Sequence, residues 1–489
     1  MKYETVIGLE VHAQLLTRSK MFCGCSADYA STPPNTHVCP VCLGMPGVLP
    51  VINRQAVEYT MMTALALHCP VPAFTKFDRK NYNYPDLMKG YQISQYDEPI
   101  GLGGWLEIEA DGQRRRIGIT RVHLEEDTAK LSHRSGLGGE FSLVDVNRAG
   151  CPLMEIVGEP DLRSPEEARQ YLIKLRSILQ YLGVSTGNME EGSFRCDANI
   201  SVRPEGSDRL GVKVEIKNMN SFRALFLAME YEAARQRKAL EDGPPIVQET
   251  RGWVEEPGKT VSQRTKEYAH DYRYFPEPDL PPLIISREWV DEVRGRLPEL
   301  ADARRERFME EFGLPRADAE QLTVSKPLAD YFQACVDKPP KSGSHKDHCK
   351  LVANWILGEF SRHLNASGVD FEEMADRIRP DYLVELLEFI GNGTINQPSA
   401  KAVLEEMYQT GKSAGDIISA RGLSQISDTS ELEKIAAEVI HSNVQPAADY
   451  RAGKEAALKF LVGQVMKATK GRANPQVVND VLKRQLEAE

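Results

Sequence analysis

Several kinds of segment are missing from this chain of 489 residues. No apolar run approaches the roughly 20 residues that a membrane-spanning helix needs, so the sequence does not predict a membrane protein. The first residues read as a strand and not as a secretory signal, and we therefore expect a cytoplasmic protein. The net charge of −11 argues against a protein that coats nucleic acid along its whole surface, although it allows a local basic region.

Two kinds of catalytic motif are missing as well. The segment 252–260, GWVEEPGKT, has one residue too many for a phosphate-binding loop and carries two glutamates where phosphates would lie. No Ser/His/Asp or Cys/His nucleophile set is recognisable, so covalent hydrolytic catalysis is not predicted. If a nucleotide binds, another kind of site must hold it.

What the chain has instead is acidic residues on strand-like runs. Residues 3–14, YETVIGLEVHAQ, alternate so that Glu10 and His12 share the polar face of one predicted strand. Three further runs each carry an acid between apolar neighbours: Glu155 in LMEIV, Asp197 in RCDANISV and Glu215 in VKVEIK. If these faces converge, the oxygen-rich site is of the kind that holds Mg²⁺ against a nucleotide phosphate.

A denser acidic segment is GITRVHLEED, where one imidazole and three carboxylates crowd together: His123, Glu125, Glu126 and Asp127. Like charges this close repel unless a cation joins them. Alternation along a strand groups Glu125 with His123 and Asp127 and turns Glu126 to the other side. The segment therefore adds candidate ligands to the acidic site.

Four cysteines in two short pairs follow the first strand: Cys23, Cys25, Cys39 and Cys42. This is the ligand set of structural zinc, with Gly24 and Gly44 available for tight turns. A disulfide framework is the alternative, but the other five of the nine cysteines are scattered. An all-cysteine site has no open position, so we expect the metal to brace a loop and not to catalyse.

Two basic and aromatic stretches could hold phosphates. FDRKNYNYPD supplies Arg79, Lys80 and Tyr82, and VKVEIKNMNS supplies Lys213 and Lys217 beside Glu215. Together with the acids they describe a phosphoryl-transfer pocket, in which a metal ion and lysines neutralise the charge that moves.

The organisation of the chain predicts an α+β fold. Residues 1–285 read as a domain of mixed and antiparallel sheet with packed helices, carrying the nucleotide, magnesium and zinc sites. Ser164-Pro165-Glu166-Glu167 is a capping box that opens a helix ending at Gly183, and a second helix is expected from near Ser221 to about Glu241.

Two helical domains are predicted after it. Residues 286–412 have long helical patterns with few β-branched runs, and residues 413–489 read as a small tail of three further helices. Residues 451–489 hold eight Lys or Arg against four Asp or Glu, a surplus of four positive charges. We expect this basic tail to bind nucleic acid.

These motifs resemble one family along essentially the whole chain. The runs YETVIGLEVHAQL, KFDRKNYNYPDLMKGYQISQYD, GITRVHLEEDTAK, LVDVNRAGCPLMEIVGEPD, MEEGSFRCDANISVRP, DYRYFPEPD and FLVGQVMKATKGRANPQVVNDVLKRQL are similar to the B subunits of the bacterial aspartyl/glutamyl-tRNA amidotransferases. The resemblance implies a cradle domain, a helical domain and a tail domain.

The resemblance also implies a reaction. The B subunit of that family binds tRNA(Gln) mischarged with glutamate or tRNA(Asn) mischarged with aspartate, and uses ATP and Mg²⁺ to phosphorylate the side-chain carboxylate. Ammonia from a partner amidase, the A subunit, then completes the amide. The heterotrimer also holds a small C subunit. The basic surplus of the tail agrees with the tRNA binding expected there.

Carried over to this chain, the resemblance implies Mg²⁺ near Glu10, His12, Glu125 or Glu126, and Glu155, with Asp197 and Glu215 in the same pocket. Of the two neighbouring glutamates the resemblance favours Glu126, although alternation does not choose it. The cysteine quartet occurs in some members of the family and not in others, which is typical of a structural role for zinc.

Two alternative functions remain open at this point. One is a noncatalytic, zinc-braced RNA-binding scaffold, in which the acids are only the solvated side of a sheet. The other is a free-standing ligase that uses ammonia directly and needs no amidase partner.

Overall fold

A computed structural model describes residues 2–136, 139–265, 272–338, 343–423, 429–469, 473 and 475–488. The chain divides into two compact units, Met1–Leu300 and Ala301–Glu489. The first contains the sheets and the second is helical, so the predicted α+β class is confirmed. No helix in the described ranges is long and apolar enough to span a membrane.

The strands lie in the first unit, and in the described residues they are β1 Tyr3–Gln14, β2 Phe74–Thr75, β3 Asp78–Asn81, β4 Tyr91–Ser94, β5 Gly101–Ala110, β6 Gln113–Glu126, β7 Lys130–Gly136, β8 Gly139–Asp145, β9 Pro152–Gly158, β10 Phe194–Pro204, β11 Val214–Lys217, β12 Glu249–Val254, β13 Lys259–Thr265, β14 Phe275–Pro276 and β15 Leu283–Ile284. The main sheet has the order β13-β12-β11-β10-β1-β9-β6-β5. Strand β1 therefore lies near the middle, hydrogen-bonded to β10 on one side and β9 on the other.

Helices of the first unit are α1 Arg54–Ala66, α2 Pro165–Leu182, α3 Phe222–Asp242 and α4 Arg287–Gly295. The predicted capping box opens α2, where the Ser164 hydroxyl accepts from the Glu167 N–H at 3.1 Å. Gly183 ends the helix with a φ of +67°, a conformation that glycine adopts readily. Ser221 caps α3 in the same way, so both predicted helices are confirmed.

The core of the first unit contains the odd-numbered side chains of β1, including Ile7, Leu9 and Val11. Val290 and Val293 of α4 belong to this same core. Helix α4 packs against α1, and the compact first unit extends to Leu300. The domain boundary at 285 stays a prediction.

Helices of the second unit are α5 Ala301–Phe312, α6 Arg316–Leu322, α7 Lys326–Val336, α8 His345–Trp355, α9 Ser361–Ser367, α10 Phe371–Arg377, α11 Pro380–Gly391, α12 Gln397–Thr410, α13 Ala414–Arg421, α14 Thr429–Ser442, α15 Val444–Arg451, α16 Glu455–Ala468 and α17 Pro475–Ala488. A π-helical turn, Ile356–Phe360, joins α8 to α9. The unit has two hydrophobic clusters, one within 308–418 and one within 432–486.

The tail differs from the prediction in its helix count. Five helices begin after residue 412 in the described residues, where three were expected. Helices α13 and α15 have only eight residues each, too few for a long periodic pattern. Ile417 and Ile418 of α13 pack in the first of the two clusters. The division at 412 stays a prediction.

Candidate active site and metal centre

Strand register brings the predicted acids to one face of the main sheet. Directly opposite residues of antiparallel strands point to the same face. His12 of β1 pairs with Glu155 of β9, and Glu155 pairs in turn with His123 of β6. On the other side of β1, Glu10 pairs with Asp197 of β10. A row of titratable side chains therefore crosses four adjacent strands.

His12, Glu125 and Glu155 form the tightest part of this row. The Nε2 atom of His12 lies 3.5 Å from Glu155 Oε2 and 3.6 Å from Glu125 Oε1. Ser94 Oγ donates to Glu125 Oε2 at 3.1 Å, which fixes that carboxylate from the side of β4. Candidate ligand atoms of all three residues lie within 4.8 Å of one another.

The electrostatics of this cluster favour a bound cation. Burial alone would lower the pKa of His12, but the carboxylates of Glu155 and Glu125 outweigh burial and raise it to about 9. Burial likewise opposes ionisation of Glu155, yet His123 and His12 hold its pKa well below the usual value. His123 Nε2 lies 3.1 Å from Glu155 Oε2. Without a metal, protonated imidazoles therefore neutralise the buried carboxylates.

These donors fit the metal that the sequence predicts. Two carboxylate oxygens and one imidazole nitrogen converge on one point, and Mg²⁺ in nucleotide sites is held by one or two carboxylates together with substrate phosphates. A divalent ion there would replace the protons of the histidines as the neutralising charge.

A second acidic group lies beside the first. Lys217 Nζ donates to Asp197 Oδ2 at 2.5 Å and lies 3.5 Å from Glu215 Oε1. Asn199 Nδ2 donates to Glu10 Oε1 at 2.7 Å. One ammonium group is thus shared by two carboxylates, with Glu10 on the adjoining strand.

Both groups open into one cavity of about 950 Å³. Its acidic and imidazole lining, apart from Asp86 in the loop between β3 and β4, comes from the main sheet: Glu10, His12, His123, Glu125, Glu155, Asp197 and Glu215. Lys80, Tyr82 and Lys217 also line it, as predicted for residues that could contact phosphates. Burial disfavours the charge of Lys80, but nearby groups including Glu125 and Glu155 raise its pKa, so Lys80 stays protonated.

The structure does not bring Glu126 to this cavity. Its carboxylate is buried on the opposite side of β6, where it accepts from the Ile93 N–H at 3.0 Å and pairs with Lys89. The resemblance favoured Glu126 over Glu125 as a metal ligand, but in the structure Glu125 lines the cavity and Glu126 does not. Neighbouring residues of a strand point to opposite faces, so only one of the two can enter the cavity.

Two predicted basic residues also lie elsewhere. Arg79 makes a bidentate pair with Glu277, with N···O distances of 2.7 and 2.8 Å, and its guanidinium lies 4.3 Å from the Tyr91 ring centroid. Lys213 is exposed just before β11 and does not line the cavity. Alternation places Arg79 and Lys80 on opposite faces of β3, so only one of them can reach the cavity.

Several cavity residues were not predicted as site residues from the sequence: Ser94, Arg121, Thr250, Tyr96, Tyr272 and Tyr274. His123, which the sequence offered as a candidate through its alternation with Glu125, does line the cavity. The three tyrosines carried none, because short strands and loops far apart in the sequence bring them to the cavity.

The four predicted cysteines form a separate cluster in the first unit. Their Sγ atoms lie within 4.8 Å of one another, and those of Cys39 and Cys42 are 3.9 Å apart. Sulfur atoms around a tetrahedral zinc with bonds of ~2.3 Å are about 3.8 Å apart, so the donor set fits zinc. None of the nine cysteines forms a disulfide.

Charge near the cysteines also suits a metal thiolate centre. Lys20 is 1% exposed, and its ammonium donates only to carbonyl oxygens, those of His37 at 2.8 Å and Val146 at 3.3 Å, among the hydrogen bonds of the described residues. A hydrogen bond from Cys23 lowers the pKa of Cys42 despite burial, and Lys20 adds to this effect. Lys20 thus favours the thiolate form of Cys42, whereas the hydrogen bond with Cys42 raises the pKa of Cys23 and burial raises the pKa of Cys25. A metal ion bound there would replace the protons of these thiols.

Comparison with known proteins finds two family matches in this chain. A family described as "GatB/GatE catalytic domain" matches residues 5–291, and one described as "GatB domain" matches residues 330–486. All of the acidic, imidazole and cysteine residues discussed above lie within the first match.

Similar proteins cover the whole chain. A protein of Dehalococcoides mccartyi strain CBDB1, named as the B subunit of an aspartyl/glutamyl-tRNA(Asn/Gln) amidotransferase, is 60% identical over 488 residues, 99% of each chain. A protein of the same name from Moorella thermoacetica is 59% identical over 486 residues, 99% of this chain and 100% of the other. Another from Thermomicrobium roseum is 55% identical over 487 residues, 100% of this chain and 99% of the other. The chain therefore belongs to the GatB family, as its sequence motifs predicted.

Proposed function

We propose that the acidic cavity is where the ATP-dependent step of a tRNA amidotransferase takes place. The chain is the B subunit of this glutamine-hydrolysing ligase, which converts Glu-tRNA(Gln) or Asp-tRNA(Asn) to the amide. The observation that carries the proposal is the convergence of His12, Glu125 and Glu155, whose candidate ligand atoms lie within 4.8 Å of one another in a cavity of about 950 Å³.

The chemistry needs activation because a carboxylate repels a nucleophile and offers no leaving group. A side-chain carboxylate oxygen of the aminoacyl-tRNA attacks the γ-phosphorus of ATP, and ADP leaves. Ammonia then attacks the carbonyl carbon of the acyl phosphate, inorganic phosphate leaves, and a proton is lost from nitrogen. Each step moves negative charge, so cationic groups aimed at the phosphates lower the barrier.

The chain's own side chains fit these needs. His12, Glu125 and Glu155 would hold Mg²⁺, which when bound neutralises the phosphate oxygens. Lys80 lies in the same cavity and keeps its proton, so it can pair with a phosphate oxygen. Lys217 anchors Asp197 and Glu215 in the second acidic group. We retain Glu10, Asp197 and Glu215 as cavity residues of the proposal and replace Glu126 by Glu125.

The finer features follow as part of the same proposal. Zinc at the cysteine cluster braces the loop of residues 23–42. An amidase partner, the A subunit, supplies ammonia, since the described residues hold no recognised amidase centre of their own. A small C subunit makes up the rest of the heterotrimer. Mischarged tRNAs of this kind serve protein synthesis, so we place the activity in the cytoplasm.

Residues beyond 412 would bind the tRNA. In the described part of the tail, Lys459, Lys467 and Lys483 are exposed. Two of the eight basic residues of this segment, at 470 and 472, lie outside the described residues. Substituting the three lysines by Ala should weaken tRNA binding. It should also reduce the slope of log Kd against the logarithm of the salt concentration by about three.

A matched control for the tail is the triple Ala variant of Lys338, Lys346 and Lys412, which are exposed elsewhere in the second unit. Filter binding across a salt series compares the two variants in the full heterotrimer. If the slope of log Kd against the logarithm of the salt concentration is unchanged in the tail variant, these lysines of the tail do not bind tRNA.

The central experiment measures ATP hydrolysis that depends on Glu-tRNA(Gln), with labelled γ-phosphate, in the purified heterotrimer. His12→Ala should abolish this hydrolysis and amide formation from free ammonia, while the partner still hydrolyses glutamine. Normal ATP turnover in the variant would contradict the proposal and favour the noncatalytic scaffold. Amidation by the isolated chain with ammonia would favour the free-standing ligase.

A further inference from the structure

The cavity has two walls of different chemistry. Its floor is the row of acids and imidazoles on the main sheet, whereas five tyrosines line the facing side: Tyr82, Tyr84, Tyr96, Tyr272 and Tyr274. These come from the small sheet β14-β3-β4 and its flanking loops. We call these five residues the tyrosine wall.

Four of the five rings of the tyrosine wall form a connected aromatic surface. The rings of Tyr96 and Tyr274 stack with centroids 4.2 Å apart and planes at 10°. Tyr274 meets Tyr272 edge-on at 6.2 Å, and Tyr272 meets Tyr82 edge-on at 5.8 Å. Aromatic pairs at these distances stabilise one another, so the rings hold a defined arrangement before any ligand arrives.

The wall also leaves aromatic surface uncovered. Tyr96 is 46% exposed and Tyr84 is 55% exposed, although both line the cavity. The backbone of Tyr96 is nevertheless fixed, because its N–H donates to Asp78 at 3.2 Å and Asp78 is paired with Lys76 at 2.6 Å. A rigid ring with a large exposed fraction is suited to stacking against a flat ligand.

The charge of the wall differs from that of the floor. Burial raises the pKa of Tyr274 to about 12, so this phenol is neutral at physiological pH. Lys80 lies between the two walls, with its Nζ 4.9 Å from the Tyr272 ring centroid, and its ammonium interacts with Glu125 and Glu155. A ligand with a neutral ring and an anionic chain would match the tyrosine wall and Lys80, and the acidic floor would hold the anionic end only with a cation between them.

From this arrangement we propose that the tyrosine wall binds an adenine ring by stacking. This assignment rests on the proposed function and adds a ligand contact to it. Adenosine is shared by two reactants, ATP and the 3′-terminal nucleotide of the aminoacylated tRNA. A cavity of about 950 Å³ is at the upper end of small-molecule sites, which span about 300–1,000 Å³, so a nucleotide and an aminoacyl end can both enter it.

The test uses Tyr96→Ala in the full heterotrimer, because Tyr96 is half-exposed and its side chain makes no hydrogen bond among those of the described residues. Equilibrium dialysis measures binding of labelled ATP, filter binding measures Glu-tRNA(Gln), and inorganic tripolyphosphate serves as a probe without a base. Tyr96→Phe keeps the ring. Phe141→Ala is the matched control, because Phe141 is 53% exposed in the β7–β8 hairpin outside the cavity.

Loss of an aromatic partner of a base weakens binding by roughly 5- to 100-fold. We expect Tyr96→Ala to lose that much affinity for ATP or for the tRNA, and the affected ligand identifies which adenine the wall holds. Tyr96→Phe and Phe141→Ala should bind both ligands within about 2-fold of the parent. Tripolyphosphate binding should be unchanged in every variant.

Two outcomes would overturn the assignment. The first is that Tyr96→Ala binds ATP and tRNA with unchanged affinity. The second is that Tyr96→Ala loses as much affinity for tripolyphosphate as for ATP or tRNA, which would mean that the ring supports the phosphate-binding residues and does not contact a base. His12→Ala separates this test from the proposed function. If His12→Ala loses tRNA-dependent ATP hydrolysis while Tyr96→Ala binds normally, only the adenine assignment fails.

Discussion

Two ligand clusters of the first unit are built in opposite ways. The cysteine cluster takes all four residues from a stretch of 20 residues, 23–42, in loops between β1 and α1. The cluster of His12, Glu125 and Glu155 takes its residues from three strands, β1, β6 and β9, the first of which lies more than 100 residues before the other two in sequence. Local spacing determines the first cluster, whereas strand register determines the second.

This difference predicts which property each cluster controls. A site assembled by the register of central strands adds little to holding the strands together, because the sheet's own hydrogen bonds and core already do so. Loops have no hydrophobic core of their own, and a metal site in loops holds them together instead. Loss of that metal should therefore affect folding. We therefore expect substitutions in the strand cluster to change activity and substitutions in the cysteine cluster to change stability.

The largest expected effect is on activity, from Glu155→Gln. Glu155 accepts from both His12 and His123, and the amide cannot replace its charge. We expect tRNA-dependent amidation to fall by about 100- to 1,000-fold while glutamine hydrolysis by the partner persists. Steady-state assays of the heterotrimer measure both, with Glu140→Gln, an exposed acid of the β7–β8 hairpin, as control. Unchanged amidation would mean that the cluster is structural.

The next largest effect is on stability, from Cys39→Ser. We expect the zinc content to fall from one ion per chain to near zero and the melting temperature to fall by about 5 °C or more. Amidation below the melting temperature should be retained. Metal analysis and calorimetry provide the readouts, and Cys69→Ala, a buried cysteine outside the cluster, should keep the zinc. A variant with full stability and no zinc would refute the bracing role.

The smallest effect is expected from Asp127→Asn. This variant tests whether an acid of the β6 segment needs to line the cavity in order to matter for activity. Asp127 follows the alternation of Glu125 but lies outside the cavity, where Arg195 and Gln14 each donate to its carboxylate at 2.8 Å. Burial opposes its ionisation, yet Arg195 and Arg148 lower the pKa of Asp127. We therefore expect Asp127→Asn to lose about 1–2 kcal/mol of stability at pH 7 while amidation is retained.

The pH dependence of this effect has a definite sign. Because the folded pKa of Asp127 lies below the unfolded value, its stabilisation is present above about pH 4 and is lost as the pH falls through the folded pKa. Urea unfolding at pH 7 and at pH 3 should therefore show the variant and the parent converging at acid pH. A constant difference between them at both pH values would contradict an ionic role for Asp127.

The sequence predicted features that depend on local pattern. Alternation along β1 placed Glu10 and His12 on one face, and the spacing of the cysteines identified their cluster. The capping box located α2. Local pattern could not supply the order of strands in the sheet, which decides that His12 meets Glu155 and His123 and that Glu10 meets Asp197.

Glu126 and Arg79 lie outside the cavity for one physical reason: side-chain direction along a strand alternates, and only one of two neighbours can enter a cavity. Lys213 shares the parity of the cavity residues Glu215 and Lys217, but it precedes β11 and is exposed. Alternation alone already separated Glu125 from Glu126, and it would have separated Lys80 from Arg79. The tyrosine wall could not be foreseen, because its residues lie on separate segments, 82–84, 96 and 272–274, that meet only in the folded chain.

The central claim is that Glu125, and not Glu126, takes part in the reaction, because alternation along β6 turns only the Glu125 side chain into the cavity. The direct measurement compares Glu125→Gln with Glu126→Gln for tRNA-dependent ATP hydrolysis over a range of Mg²⁺ concentrations. We predict a loss of about 100-fold or more for Glu125→Gln, with a higher Mg²⁺ requirement, and activity within about 3-fold of the parent for Glu126→Gln. Normal activity in Glu125→Gln together with loss of activity in folded Glu126→Gln would contradict it.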